Sequence, residues 1–319
     1  VALTRVARTA RALLDHAFYD LDGETPLAAT GDVTVAVVDA NGATVTTGTA
    51  TAGADGTYTW TLPAQAQLAE LRVSWTAVLD GTTVVEVDQV EVVGGFYFTV
   101  AEGRDKYQAT RNSAQYTTAD VLARRTEVEI ECERICARAF VPRYRRVVLN
   151  GSGTTELVLP DPHVRTIRSV RMAPRADRTF TAFTTAQLAA LHEGGDRVLR
   201  RLDGERWTEG YGNVVVEYEH GLDAPPPDLV DAVKTRLRDR LTDPTSRTSD
   251  RAVSYRSVTG GDYKLATATE FTTGLPDVDA VYERYSLRPK RDKQGGAASR
   301  TLTFAPQRYS LFHFGPGDY

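Results

Sequence analysis

Between Phe18 and Val93 apolar and polar positions alternate with a period of two. Val33, Val35 and Val37 share one side of their run, and Tyr58, Trp60 and Leu62 share one side of theirs. That spacing puts successive side chains on opposite faces of half-buried strands. Alternating runs lie near residues 16–21, 32–38, 43–50, 57–62, 69–79 and 83–93. They are punctuated by Asp39-Ala40-Asn41-Gly42, Asp55-Gly56 and Asp80-Gly81, residues that tolerate the positive φ of tight hairpin turns. The stretch Arg11-Ala12-Leu13-Leu14 joins helix-favouring residues to the position of a first strand, and is read as strand.

Six or seven short antiparallel strands ending at Gly94-Gly95 have the size of an immunoglobulin-like sandwich, which sets residues 1–95 as an all-β first domain. The pattern then changes. Residues 96–116 read as a polar linker, and Thr117 with Asp120 three positions on reads as a helix cap. Val121, Val128, Cys132, Ile135, Cys136 and Ala139 recur at helical spacing and predict an amphipathic helix of about 20 residues, closed by Pro142. Residues 146–149, 156–159 and 166–172 read as strands about Asn150-Gly151-Ser152-Gly153. Residues 184–192 read as a short helix, and 197–202 and 214–218 as further strands. After Pro225-Pro226-Pro227, Leu229, Val233, Leu237 and Leu241 recur every four residues, with Asp228 and Asp231 early and arginines late, as a helix dipole favours. Periodicity fades from Asp243 onward apart from a short helix at 278–285. The polar stretch 289–300 reads as a linker to an aromatic, β-favouring end.

Length supports two domains: 319 residues is about twice an ordinary domain. Mean hydropathy is -0.32 and no apolar run approaches a membrane span, so no membrane partner is expected. Arg5, Arg8 and Arg11 precede only a short apolar run, Ala12-Leu13-Leu14, too brief for a secretory signal core. Charge is asymmetric. Residues 1–95 hold 4 Lys/Arg and 12 Asp/Glu, or −8, and residues 96–319 hold 34 and 30, or +4. Two modules with different surfaces follow, and neither is basic enough for a general nucleic-acid binder.

Candidate chemistry is sparse. Cys132 and Cys136 share one helical face, but a tetrahedral metal site needs two more ligands, and His16, His163, His192, His220 and His313 form no pair to supply them. The cysteines read instead as small core side chains in a reducing compartment. No Gly-x-Ser-x-Gly elbow or P-loop ending occurs, so no catalytic residue, cofactor or metal is expected and the chain reads as a non-enzyme. Glu127, Glu129, Glu131 and Glu133 read as a solvated helix face with Arg124, Arg125 and Arg134. Arg143, Arg145 and Arg146 are the densest basic cluster, open between nucleic acid, an acidic partner, and a solvated or subunit-contacting patch, with the last favoured. The terminal aromatics are open between a docking motif and a strand of the chain's own fold, with docking favoured.

Taken in order, several segments resemble the head–tail connector (adaptor) family of siphovirus-type tailed phages. Glu127-Val128-Glu129-Ile130-Glu131-Cys132 followed by Ala139-Phe140-Val141-Pro142-Arg143 is similar to that family's first helix and exit. Leu157-Val158-Leu159-Pro160 and Val170 resemble its central β-unit. Val214 to Gly221, a proline, then Asp228-Leu229-Val230-Asp231-Ala232 resemble its closing strand, turn and second helix, and Thr273 to Asp279 with Tyr282 and Tyr285 resemble the segment that follows. The resemblance covers about 60% of the chain, residues 96–285, by our reading of connector-type order. It implies a multi-domain chain: a sandwich at 1–95, a linker at 96–116, an α+β connector core at 117–288 and an extended arm at 289–319. It also implies a virion protein assembled in the host cytoplasm, forming a ring, expected to be a dodecamer, in the phage neck. The ring's partners would be the portal protein and a stopper or tail-terminator protein, with DNA passing through the lumen without sequence-specific binding. The arm residues Leu302, Phe304, Tyr309, Phe312 and Phe314 would dock on the portal. The alternative reading is an immunoglobulin-like binding module of a tail accessory or adhesin.

Overall fold

The structure is a computed structural model that describes residues 3–20, 23, 25–54, 56–174, 179–194, 197–242, 252–256, 262–265 and 271–288. Val1–Leu287 form one compact unit, to which the following description belongs. The arm residues Leu302, Phe304, Tyr309, Phe312 and Phe314 lie outside the described residues.

The first strands are β1 (Leu3–Ala7), β2 (Ala12–Tyr19), β3 (Pro26–Leu27), β4 (Thr34–Val38), β5 (Thr44–Thr49), β6 (Thr51–Ala52), β7 (Thr57–Leu62), β8 (Ala69–Leu79) and β9 (Thr82–Val93). They form a five-stranded sheet in the order β1-β9-β8-β4-β5 and a four-stranded sheet in the order β3-β2-β7-β6. Both sheets contribute to one core: Val35, Val37, Leu71, Val73 and Trp75 from the first, Leu14, Phe18, Tyr58 and Leu62 from the second. Two sheets closed over one apolar layer make a sandwich. Its turns are those the Gly pairs predict: Asp80 and Gly81 both take positive φ, and Leu79 faces Thr82 across the β8–β9 hairpin. The Leu13-Leu14 stretch is indeed strand, within β2. The sequence pattern missed β1, whose five residues pair parallel with β9. A strand that short carries too few alternations to stand out.

Next come α1 (Val100–Asp105), α2 (Thr118–Cys136), β10 (Arg143–Gly151), β11 (Glu156–Val158), β12 (Val164–Met172), β13 (Thr181–Ala182), α3 (Thr185–Ala189), β14 (Leu191–Gly194), β15 (Val198–Arg201), β16 (Gly210–His220) and α4 (Pro227–Thr242). A hairpin of β17 (Ala252–Arg256) and β18 (Asp262–Leu265) and a helix α5 (Pro276–Tyr285) complete the series. Helix α2 starts where Thr117 and Asp120 form a reciprocal capping box, and ends at Ala137 in the left-handed region. The α2, α4 and α5 helices share a core that includes Val128, Cys132, Phe140, Leu229, Val233, Leu237 and Tyr282. Beside it lie the sheets β10-β16-β12-β13 and β11-β15-β14 over Leu157, Val170, Leu199, Trp207 and Tyr218. We call this helical and β region the body.

Three local readings change. The segment read as a polar linker holds α1, capped by Thr99 with Glu102, and buries Tyr97 and Phe98. The helix expected through His192 stops at Ala189, because His192 and Glu193 pair with Arg200 and Leu199 of β15. The region after Asp243, read as lacking periodicity, contains the β17–β18 hairpin. Among the described residues no helix is long and apolar enough to cross a membrane.

Candidate functional site at the junction of sandwich and body

The sandwich meets the body through charge. Arg5 is the third residue of β1, and its parallel pairing sets it opposite Glu91 of β9. Its Nε donates to Glu91 Oε2 at 2.8 Å, and its Nη2 reaches across to Glu133 Oε2 on α2 at 2.6 Å. Arg143, the first residue of β10, donates from Nη2 to the other oxygen of Glu133 at 2.5 Å, with its Nη1 3.5 Å from Glu91. Glu133 is therefore gripped by two guanidiniums from two strands. Glu129, one helical turn earlier, lies behind them: its Oε1 accepts the Tyr97 N–H at 2.9 Å, and its Oε2 sits 3.6 Å from Arg5 Nη1.

Burial sharpens these interactions. The Arg5 and Arg143 side chains are 4% and 3% exposed, and Glu129 is fully buried. Burial alone would lower the Arg5 guanidinium's pKa, but Glu133 and then Glu91 outweigh it and hold the charge more firmly than usual. Burial would raise Glu133, yet Arg143 and Arg5 keep its carboxyl below the ordinary range. Glu129 goes the other way: burial pushes it up to about 7, against the smaller pull of the Tyr97 N–H, Arg5, Arg143 and Arg125. The Tyr97 hydroxyl donates to Glu133 Oε1 at 3.1 Å and completes the cluster.

Further contacts bind the same seam. Arg168 on β12 donates from Nη1 to the Leu68 carbonyl at 2.7 Å and pairs with Glu219. Asn41 Oδ1, in the β4–β5 turn, accepts from Arg146 Nε at 3.1 Å and from Arg171 Nη2 at 2.5 Å. The Gly94 N–H donates to the Pro142 carbonyl at 2.9 Å, and a Cβ at Gly94 would fall 2.7 Å from the Pro142 ring. Only glycine lets the chain leaving β9 lie so close to the exit of α2.

The expectation of a solvated acidic face on α2 is therefore overturned. Arg124 and Glu127 do pair with each other at the surface. Glu129 and Glu133 face inward to the junction, and Glu131 turns to Arg236 of α4 at 2.8 Å. Arg125 is buried too, stacked 3.6 Å from the Phe96 ring centroid with Nη1 donating to the Phe98 carbonyl. Helical periodicity had no way to reveal this, because the guanidiniums that make burial tolerable come from β1 and β10, far away in sequence. The three clustered arginines also part company: Arg143 turns inward to Glu133, Arg145 forks onto Asp161 at 2.8 and 2.9 Å, and Arg146 reaches Asn41. Strand alternation and the junction, not their shared charge, set these directions. Sequence reasoning also missed Arg5, whose signal was a lone arginine in an apolar run, Leu3-Thr4-Arg5-Val6.

Elsewhere, Cys132 and Cys136 are free and buried, and Cys136 Sγ lies 3.6 Å from the Tyr282 carbonyl, which it faces as a weak donor. Among the described residues no cluster of three or more His, Cys, Asp or Glu could hold a metal ion. The junction holds two modules in one orientation.

No family model matches the chain, and no curated protein matches it. Among solved structures, it is similar to a chain in the neck of an empty gene transfer agent particle computed with C6 symmetry, with a TM-score of 0.42 and 20% identity over 63% of this chain and 93% of that one. A chain of the native gene transfer agent virion gives 0.41 and 19% over 63% and 93%. A chain of the native neck computed with C12 symmetry gives 0.39 and 19% over 62% and 91%.

Proposed function

We propose that this chain is a structural protein of the neck of a tailed-phage-like particle, a head–tail connector (adaptor) whose copies form a ring, expected to be a dodecamer, between the portal and the stopper or tail terminator. The observation that carries the proposal is the order of elements in the body. Most segments that resemble the connector family fall on one element or lead from one into the next, and Leu157 to Pro160 spans the end of β11. Glu127 to Cys132 lies on α2, and Ala139 to Arg143 leads from it into β10. Val170 lies in β12, Val214 to His220 in β16, Asp228 to Ala232 in α4, and Thr273 to Asp279 leads into α5. The helices at the two ends of this order, α2 and α5, then return to a common core with α4. That shared core supports reading the segments as parts of one domain.

The sandwich is assigned an immunoglobulin-like fold. Its two-sheet order, with β2-β7-β6 in one sheet, β9-β8-β4-β5 in the other and β1 parallel to β9, supports that assignment. The proposed domains are 1–95, a core at 117–288 and an arm at 289–319, with 96–116 joining the first two through α1 and the buried Tyr97 and Phe98 rather than as a bare linker. The arm would dock on the portal through Leu302, Phe304, Tyr309, Phe312 and Phe314. DNA would pass through the lumen, where a chain of −4 net charge offers little phosphate grip.

Electron microscopy of particles, and of the purified protein mixed with portal protein, tests this. A neck ring is expected; exclusive location on fibres or on the capsid surface would overturn it. Removing residues 296–319 should leave a folded protein that no longer joins DNA-filled heads, and normal joining would sink the docking assignment.

A further inference from the structure

The outer face of the five-stranded sheet is built the wrong way round for a surface that only meets water. In β8 the inward set is apolar: Leu71, Val73, Trp75, Ala77 and Leu79 are all buried. In the outer half of its partner β9 the alternation inverts. Glu86 and Asp88 point toward the second sheet, where Nδ1 of His16 on β2 is hydrogen-bonded to Asp88 at 2.9 Å and its Nε2 lies 3.3 Å from Glu86 without a hydrogen bond. His16 is itself stacked on Trp75, ring centroids 5.0 Å apart. Val85 and Val87 point outward and are 56% and 38% exposed.

A slip of one residue would exchange the two sets, burying the valines and freeing the carboxylates to water. The Asp80-Gly81 turn, with both residues at positive φ, holds the register that prevents it. Around the two valines the outward positions carry no charge: Ser74, Thr76 and Val78 on β8, Ala36 on β4. This neutral patch sits on a module of −8 net charge. Toward the body the same face turns polar, with Glu70, Arg72 and Gln89 beside a cleft of about 470 Å³ that Arg146 of the body also lines. One sheet face is thus docked by the body of its own chain at one end and is open at the other.

We propose that the open end, centred on Val85 and Val87, is a contact surface for a second copy of this chain, which approaches head-to-tail through its body. Two features select that occupant. The patch continues the surface on which a body already rests. In addition, sandwich against sandwich sets −8 against −8 and repels, whereas residues 96–288 hold 29 Lys/Arg and 28 Asp/Glu, so sandwich against the body of the next copy sets −8 against only +1. A heterologous contact of this kind builds rings when its rotation closes. The inference rests on the proposed neck ring only in expecting repeated copies; the contact itself is tested in solution.

The test is sedimentation velocity on the full chain and on a Val85→Glu/Val87→Glu double variant across a concentration series. The wild type should form species larger than a dimer. The double variant should weaken association about tenfold or more, as loss of a central apolar contact does. A wild type that remains monomeric, or a variant that associates equally well, overturns the proposal.

Because a glutamate pair could perturb the sheet, a single Val85→Cys variant provides a second arm. Cys132 and Cys136 are buried, so a thiol-specific photo-crosslinker goes to position 85. Cross-links to the body of another copy support the contact. Cross-links between two copies at position 85, or to added portal protein alone, overturn it. Neck rings that assemble with position 85 open to labelling would sink this inference and leave the neck reading intact. Self-association by particles' protein that never localises to a neck would do the reverse.

Discussion

The guanidinium of Arg5, on the first strand of the sandwich, lies 2.6 Å from the carboxylate of Glu133 on α2, 128 residues away in sequence. Glu133 is held from its other side by Arg143, so one carboxylate joins a strand of the sandwich to a strand of the body. Removing one member of a buried charged set costs far more than removing a surface ion pair, because the remaining charges stay buried and unmatched.

Arg5→Ala is therefore expected to destabilise the chain by about 3–5 kcal/mol, the range for breaking a buried pair. Urea unfolding gives the measurement. Arg8→Ala, at an exposed position of the same segment, serves as the comparison and should stay within about 0.5 kcal/mol. Equal effects for the two would mean that the junction contributes no stability.

The junction also has a pH signature. Glu129 is raised from 4.5 to about 7, so the folded chain holds its proton more tightly than the unfolded chain does. Its contribution to stability is full below about 4.5 and is lost as pH rises toward about 7, a total on the order of 3 kcal/mol. Glu133, held low, acts oppositely: its stabilisation is present above the ordinary carboxylate value and is lost as pH falls below it. His220, lowered mainly by burial, costs stability in acid and returns it as pH rises toward 6.5. Comparison with Glu129→Gln cancels the last two. The variant should match the wild type near pH 4.5 and exceed it by about 3 kcal/mol above pH 7. A difference that does not change with pH would contradict the assignment.

Gly94→Ala tests the backbone approach. Its new Cβ would meet the Pro142 ring at 2.7 Å, and neither partner is the free end of a flexible side chain. Thermal unfolding should report a loss of about 1–3 kcal/mol, as overpacking does. Gly95→Ala, whose Cβ meets nothing within 4 Å, should be much milder.

Both thiols should be inert in the folded chain. Cys132 and Cys136 are buried, and burial first of all pushes the Cys132 thiol well above its usual value, leaving little thiolate to react. A disulfide-exchange reagent should label neither in native buffer and both in denaturant; rapid native labelling would show that the α2–α5 core opens readily.

Much of the architecture was written in local pattern. Period-two runs and Asp-Gly turns specified the sandwich hairpins, and Leu229, Val233 and Leu237 at four-residue spacing specified α4, because backbone geometry alone maps such spacings onto faces. Three decisions came only from tertiary structure. Whether Glu129 and Glu133 meet water or arginine depended on β1 and β10 arriving beside α2. Whether Arg143 faces inward depended on its being the first residue of a strand, not a residue trailing a helix. The outward valines of β9 look like ordinary alternation until β8 and His16 show which side is the interior. Periodicity determines that two faces exist; only packing determines which of them is inside, since that choice is made by residues distant in sequence.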